Sequence, residues 1–377
     1  MAGLYFHIPF CKRLCGYCDF HRSVKLRHLP DVIRMMHTEL DERHALLSEH
    51  RLRTIYFGGG TPSLVAPHEI QRLIDHARQR FDCSEVEEIT LEANPDDVTD
   101  AYVSALRTTD INRISLGVQS LDERVLQFMG RRHTAKQAIE AVARLQRAGY
   151  DNISVDLIFG VEPFGEESLR KTIEGFVALG VQHISAYHLT IEPDTRFGRL
   201  LSKGELRQVD EQRSEREFQQ IHDALTAAGF DHYEVSNYAL DGYRSRHNSS
   251  YWTGDEYLGI GPGAHSFFGR TRQWCELSPE QYAEHFTHTS ETLTERDERN
   301  EYLMVSLRRA EGISLDYIRQ RWGERQAERI AHAAEPMLRA GWLREMGDAE
   351  QKTERRIAIP PEKFLISDAV ISTFFEV

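Results

Sequence analysis

Six short apolar runs punctuate the first 200 residues: LYFHIPF (4–10), TIYFGG (54–59), EITLEAN (88–94), RISLGV (113–118), ISVDLIFG (153–160) and HISAYHLT (183–190). They are rich in β-branched and aromatic residues and mostly end in Gly, Pro or Asn, which marks them as strands. Amphipathic stretches separate them. DVIRMMHTELDERHALL is one, with Asp31 placed as an N-cap and apolar residues at helical spacing. Strands alternating with helices pair in parallel through right-handed crossovers, and near-continuous apolar strands imply burial on both faces. Six such units predict a partial α/β barrel of (β/α)6 type, because a closed barrel of this kind needs eight.

Beyond residue 200 the pattern changes. A charged helical stretch (roughly 209–228) leads to HYEVSNYAL and then to a Gly- and aromatic-rich segment, HNSSYWTGDEYLGIGPGAHSFFG. From about 280 the chain reads as mostly helical, with Gly312, Gly323 and Gly341 as helix stops and RRIAIPPEKFLIS as a hairpin or wing. The expected division is a core barrel over 1–200, a connecting segment over 201–280 and a winged-helix-like C-terminal domain over 281–377. The longest apolar runs are too short to cross a bilayer, and no signal-peptide pattern opens the chain, so a cytoplasmic location is expected. A formal net charge of −13 argues against a phosphate-tracking surface, and hence against nucleic acid as the main partner.

Five cysteines in a reducing compartment do not suggest a disulfide framework. Cys83 and Cys275 stand alone and read as buried small apolar residues. Cys11, Cys15 and Cys18 fall within eight residues as C-x3-C-x2-C. Such a loop can wrap three irons of a [4Fe–4S] cube and leave the fourth open. Placed after the first strand, it would sit at the mouth of the barrel, where active sites of such folds lie. Zinc is the rival, because His21 would complete a Cys3His set. Structural zinc sites usually join two separated knuckles, whereas these four residues span eleven positions.

The spacing resembles that of the radical S-adenosylmethionine (SAM) superfamily. Its flanks, LYFHIPFCKRLCGYCDF, resemble the N-terminal motif shared by oxygen-independent coproporphyrinogen III oxidases and the related heme chaperones. The likeness continues through GGGTPS (58–63), LEANP (91–95), RISLGVQS (113–120), GRRH (130–133), DLIFG (156–160), YHLTIEP (187–193), HNSSYW (247–252) and YLGIGPGAHS (257–266), weakening after about residue 280. Phe20 stands where the oxidase pattern has a further cysteine, and HNxxYW belongs to the chaperone branch. Both departures favour that branch.

The resemblance implies SAM as the fourth ligand of the cluster. Gly59, Gly60 and Thr61 would meet its methionine end, and the glycines suit this because a backbone without Cβ can approach a ligand closely. Glu92, Gln119, Arg131 and Asp156 would line the rest of the SAM site, with Tyr5 and Tyr17 packing on the cofactor. His247 would offer an imidazole to heme iron, and Tyr251 and Trp252 would stack on the porphyrin; without the resemblance, HNSSYW reads as a loop histidine satisfied by backbone contacts beside core aromatics. His188 and His265 are weaker heme candidates. The implied function is a heme carrier serving acceptor hemoproteins such as respiratory enzymes, through peripheral contact at most with membrane enzymes. The competing function is oxidative decarboxylation of coproporphyrinogen propionates by a SAM-derived radical. Homodimerisation is left open.

Overall fold

The computed structural model describes residues 2–162, 164–347 and 354–376. Each of the six apolar runs forms a strand: β1 (Ala2–Ile8), β2 (Leu52–Gly59), β3 (Glu88–Ala93), β4 (Arg113–Gln119), β5 (Ile153–Phe159) and β6 (His183–His188). They pair in sequence order and all in parallel. One face of this sheet is apolar. Leu4, Phe6, Ile55, Phe57, Leu91, Ile114, Leu116, Val155 and Ile184 join the main core beneath the flanking helices. The alternate residues, among them Tyr56, Glu92, Ser115, Asp156 and Tyr187, turn to the concave interior, which is polar. The strands are therefore covered on both faces as expected, but by helices on one side and by a site on the other.

The barrel does not close, because both of its edges are already paired. β7 (Asp231–Glu234) and β8 (Asn237–Ala239) form an antiparallel hairpin that adds to β6. β9 (Tyr257–Ile260) runs parallel to β1 and is followed outward by β10 (His265–Phe268), β11 (Thr271–Trp274) and β12 (Thr289–Thr292), all antiparallel. The twelve-stranded sheet thus extends to residue 292.

The C-terminal part has the expected winged-helix character. Helix Glu295–Leu307 precedes β13 (Ile313–Ser314), helices Leu315–Trp322 and Glu324–Arg339, β14 (Arg344–Met346) and β15 (Arg356–Ala358). β15 pairs antiparallel with both β13 and β14. Gly323 (φ +90) separates its two helices and Gly341 (φ +72) follows the second, conformations that an L side chain resists.

Two local expectations fail. Helix Leu29–Arg43 starts two residues before Asp31, with His28 at the N-cap position making no side-chain capping bond and Pro30 in the first turn. Asp31 lies inside that turn, where it pairs with Arg34 at 2.6 Å; Pro pre-set for the first turn moves the start upstream. Cys83 is only partly buried, packed against the core from the 81–87 connection, whereas Cys275 is buried as expected. Among the described residues, no helix is long and apolar enough to cross a membrane.

Candidate cofactor site at the barrel mouth

The cysteine loop is built as a closed neck. Beyond β1, Cys11 N donates to Ser23 O (3.0 Å) and Ser23 N donates to Pro9 O (2.6 Å). Its middle is pinned to the barrel rim, Gly16 N donating to Met129 O (2.8 Å) and Phe197 N to Gly16 O (2.9 Å). A Cβ on Gly16 would lie 2.6 Å from the Phe197 ring, so the residue type is set by this approach. All three cysteines line a cavity of about 400 Å3 at the C-terminal mouth of the parallel strands. Thr61 Oγ1 donates to Cys11 Sγ (3.4 Å), Arg131 Nη1 to Cys15 Sγ (3.3 Å) and Arg22 to the Cys18 carbonyl. Burial pushes the Cys11 and Cys18 thiols up, while Arg22 opposes this at both sites and Arg131 at Cys11. His21, which a zinc site would need, engages Leu277 O through Nε2 at 2.9 Å and is absent from the cavity wall.

The end of β2 supplies the next wall. Gly60 N donates to Ile8 O (2.8 Å), and a Cβ there would lie 2.7 Å from Phe10 O and 2.8 Å from Phe10 N. Gly59, at φ +111, donates its N–H to Glu92 Oε2 (3.0 Å), while Tyr56 OH donates to Glu92 Oε1 (2.8 Å). Burial raises Glu92 to about 7 despite these donors, and raises Asp156 to about 6. Arg113, 1% exposed, tempers both; its Nε and Nη1 have no hydrogen-bond partner.

β4 bulges between Leu116 and Gln119, and Gln119 is the one non-glycine at positive φ (+72) among the described residues. Such strain collects beside functional sites. Arg131 Nη2 donates to Asn94 Oδ1 (2.5 Å) and to the Gly117 carbonyl.

The cavity therefore gathers Tyr17, Gly59, Gly60, Thr61, Glu92, Gln119, Arg131 and Asp156 beside the three thiols. Tyr5 lies one layer below, its hydroxyl 3.1 Å from His7 Nδ1. Gln119 Oε1 and Arg131 Nε, an acceptor and a donor on cavity-lining residues, are buried without partners. Three thiols on one loop and orphaned polar atoms on the cavity wall fit a [4Fe–4S] cluster with a SAM-sized ligand beside it. Such a pair supplies one-electron chemistry when bound.

HNSSYW lies elsewhere. It forms helix Arg246–Thr253, whose N-terminus is held by the Glu88 carboxylate: Arg246 N donates at 2.8 Å and His247 N at 3.0 Å. The expected loop histidine is instead a helical one, and side chains rather than backbone satisfy its ring. His247 is 1% exposed, with Nδ1 2.8 Å from Thr54 Oγ1 and Nε2 2.8 Å from Tyr251 OH, and its ring stacks on Tyr56 at 4.9 Å. Burial lowers its pKa to about 3. His188 lines the cofactor cavity and bonds Ser214 Oγ (2.8 Å), whereas His265 sits exposed on the outer strands, stacked on Trp274. The three candidate heme histidines thus occupy three separate places.

Sequence reasoning missed Asn94, Arg113 and Glu88. Asn94 sits two residues after Glu92 in LEANP, so the period of two would have put it on the same inward face. Arg113 and Glu88 open their strands, and no local pattern distinguishes them from surface charges.

The sequence signature of the Radical SAM superfamily matches residues 5–175. "Heme chaperone HemW" of Lactococcus lactis is 35% identical over 83% of this chain and 83% of its own length. "Heme chaperone HemW" of Mycobacterium tuberculosis is 33% identical over 98% of this chain and 94% of its own length. Among solved structures, "Coproporphyrinogen III oxidase (HemN) from Escherichia coli" superposes with a TM-score of 0.81 at 20% identity, covering 99% of this chain and 89% of that one, a likeness of fold. The strand order, the cysteine loop and these relatives together place the chain in the HemW family of the radical SAM superfamily.

Proposed function

We propose that this chain binds heme and hands it to apo-hemoproteins in the cytoplasm. Respiratory enzymes are the acceptors, met by peripheral contact at the membrane, and the carrier works as a monomer or a homodimer. The observation that supports this most strongly is kinship. Proteins bearing the name "Heme chaperone HemW" share 33% identity with this chain over 98% of it. Phe20, 65% exposed at the mouth of the cofactor cavity, stands where the oxidase pattern has a cysteine, which removes one feature of the decarboxylase.

In this reading Cys11, Cys15 and Cys18 hold the [4Fe–4S] cluster. Gly59, Gly60 and Thr61 receive the methionine end of SAM, and Glu92, Gln119, Arg131 and Asp156 surround its remainder. Tyr17 packs on it, and Tyr5 braces the layer below. Arg131 keeps its charge despite burial, as guanidinium does in proteins, with the Asp156 carboxylate as a nearby opposite charge. It thereby links the cysteine loop to the polar wall. Heme meets the chain at the HNSSYW helix, where His247 acts on it through the position it gives Tyr251. Direct ligation of iron by His247 would first require breaking its bond to Thr54 or to Tyr251.

An anaerobic hemin titration of the cluster-reconstituted chain, followed at the Soret band, tests the reading. Saturable binding near one heme per chain is expected. Failure to bind hemin, together with SAM-dependent decarboxylation of coproporphyrinogen III, would replace the carrier with the enzyme.

A further inference from the structure

A second cavity, of about 540 Å3, lies between the HNSSYW helix, strands β9–β11 and the C-terminal helices, away from the cysteine loop. Its size is ordinary for a cofactor site, which spans roughly 300–1,000 Å3. Trp252, Tyr257 and Phe267 form one wall, and Tyr302, Tyr317 and Trp322 the other. In the second wall Tyr302 and Tyr317 stack at 4.7 Å, with Trp322 5.5 Å and 5.7 Å from them. A larger cavity of about 650 Å3 under the barrel is lined by loop glycines, arginines and aspartates with no aromatic ring, and offers a flat ligand nothing to stack on.

The polar atoms of the aromatic cavity are unbalanced. Trp252 Nε1, Trp322 Nε1 and Arg309 Nε are all buried donors without an acceptor. An unsatisfied buried N–H costs about 1–3 kcal/mol, and all three belong to residues that line this cavity, so a ligand bringing acceptors, met by small side-chain rotations, would relieve that cost. The other arginines are already committed: Arg272 to Glu301 (2.8 Å), Arg321 to Glu298 (3.6 Å) and Arg356 to Glu354 (2.6 Å). Arg309 has no ion-pair partner within 4 Å among the described residues. Burial lowers its pKa, with Glu311 the chief opposing charge.

Resting on the carrier reading above, we propose that this cavity is the heme seat: the macrocycle lies between the two aromatic walls, and a propionate accepts from Arg309 and the tryptophan N–H groups. The proposal also accounts for the make-up of HNSSYW. Tyr251 and Trp252 both line the cavity, and the hydroxyl of Tyr251 is fixed from behind by His247 at 2.8 Å. His247 is then a positioning residue, and the heme contacts come from the end of its helix and from the C-terminal part.

The test is a set of anaerobic hemin titrations on the cluster-reconstituted full chain: wild type, Arg309→Gln, Arg309→Lys and Tyr317→Ala, each also titrated with SAM. Tyr317 is 43% exposed, so its truncation removes a cavity ring at a modest cost to packing, and the wild-type SAM affinity of the variant reports that the fold is kept. Expected are at least tenfold weaker hemin binding for Arg309→Gln, partial recovery for Arg309→Lys and several-fold weakening for Tyr317→Ala, all with wild-type SAM affinity. Metal-free protoporphyrin IX competes with hemin, since recognition is through ring and propionate. Wild-type hemin affinity in both Arg309→Gln and Tyr317→Ala would overturn this seat and leave the carrier reading standing. A wild type that does not bind hemin saturably overturns both.

Discussion

His247→Ala separates a latch from an iron ligand. The side chain is 1% exposed and bridges Thr54, 2% exposed, to Tyr251 through two 2.8 Å bonds. Truncation leaves two buried hydroxyls each short of a partner, at about 1–3 kcal/mol apiece if they find no other. It also removes the ring stacked on Tyr56. Allowing for rotation of the hydroxyls, the cost is roughly 3–5 kcal/mol, a large part of the ~5–15 kcal/mol that holds a typical domain together. At the low end of the ~2–4 °C per kcal/mol found for chains of 150–250 residues, the thermal midpoint falls by about 5–10 °C. Scanning calorimetry at pH 7.5 reads this directly. Acid adds a second signature. The folded pKa of about 3 lies below the ordinary 6.5, so below pH 6.5 the unfolded chain takes up a proton that the native one refuses. Wild-type stability therefore declines as pH falls from 6.5 toward 3, and the variant lacks that part of the slope. A His247→Ala protein that melts within 1 °C of wild type yet has lost heme affinity would refute the latch and restore His247 as an open ligand.

Three further outcomes follow from the cofactor site. Gly60→Ala drives a Cβ to within 2.7 Å of Phe10 O, which is backbone and cannot swing away, so SAM affinity by calorimetry drops at least tenfold. SAM carries a net positive charge and favours ionised Glu92 and Asp156, whose ligand-free values lie near 7 and 6. Its binding therefore releases protons and weakens as pH falls from 8 to 6; Glu92→Gln flattens that dependence, and an unchanged slope would reassign it. Arg131→Met deprives Cys15 of its 3.3 Å donor and the mouth of its central cation, so reconstituted iron and sulfide per chain fall by at least half, read by colorimetric assay.

The parallel core was legible because each run combined β-forming residues with a clear boundary, and all six became strands in their written order. The cysteine loop was legible because its spacing is local. What escaped depends on contacts between distant segments. His247 read as a loop residue satisfied by local backbone, but Glu88, 159 positions away, fixes its helix, and the side chain of Thr54 closes its ring. Asp31 failed as a cap because Pro30 displaced the helix start, a competition between two N-terminal signals that spacing alone does not resolve. The edge strands β10–β12 are four residues each and pair only with one another and β9, too short to carry a periodic signal. The aromatic cavity joins residues from 251 to 356 that no linear motif connects.

The most direct test of the carrier account is the kinetics of heme release. Heme-loaded chain is mixed anaerobically with increasing amounts of heme-depleted respiratory membranes, and separately with a passive scavenger such as apomyoglobin. A carrier that docks with its acceptor transfers faster as membrane concentration rises, exceeding the plateau set by spontaneous dissociation into the scavenger. One common plateau for membranes and scavenger alike would contradict the account, because heme would then simply dissociate and be captured.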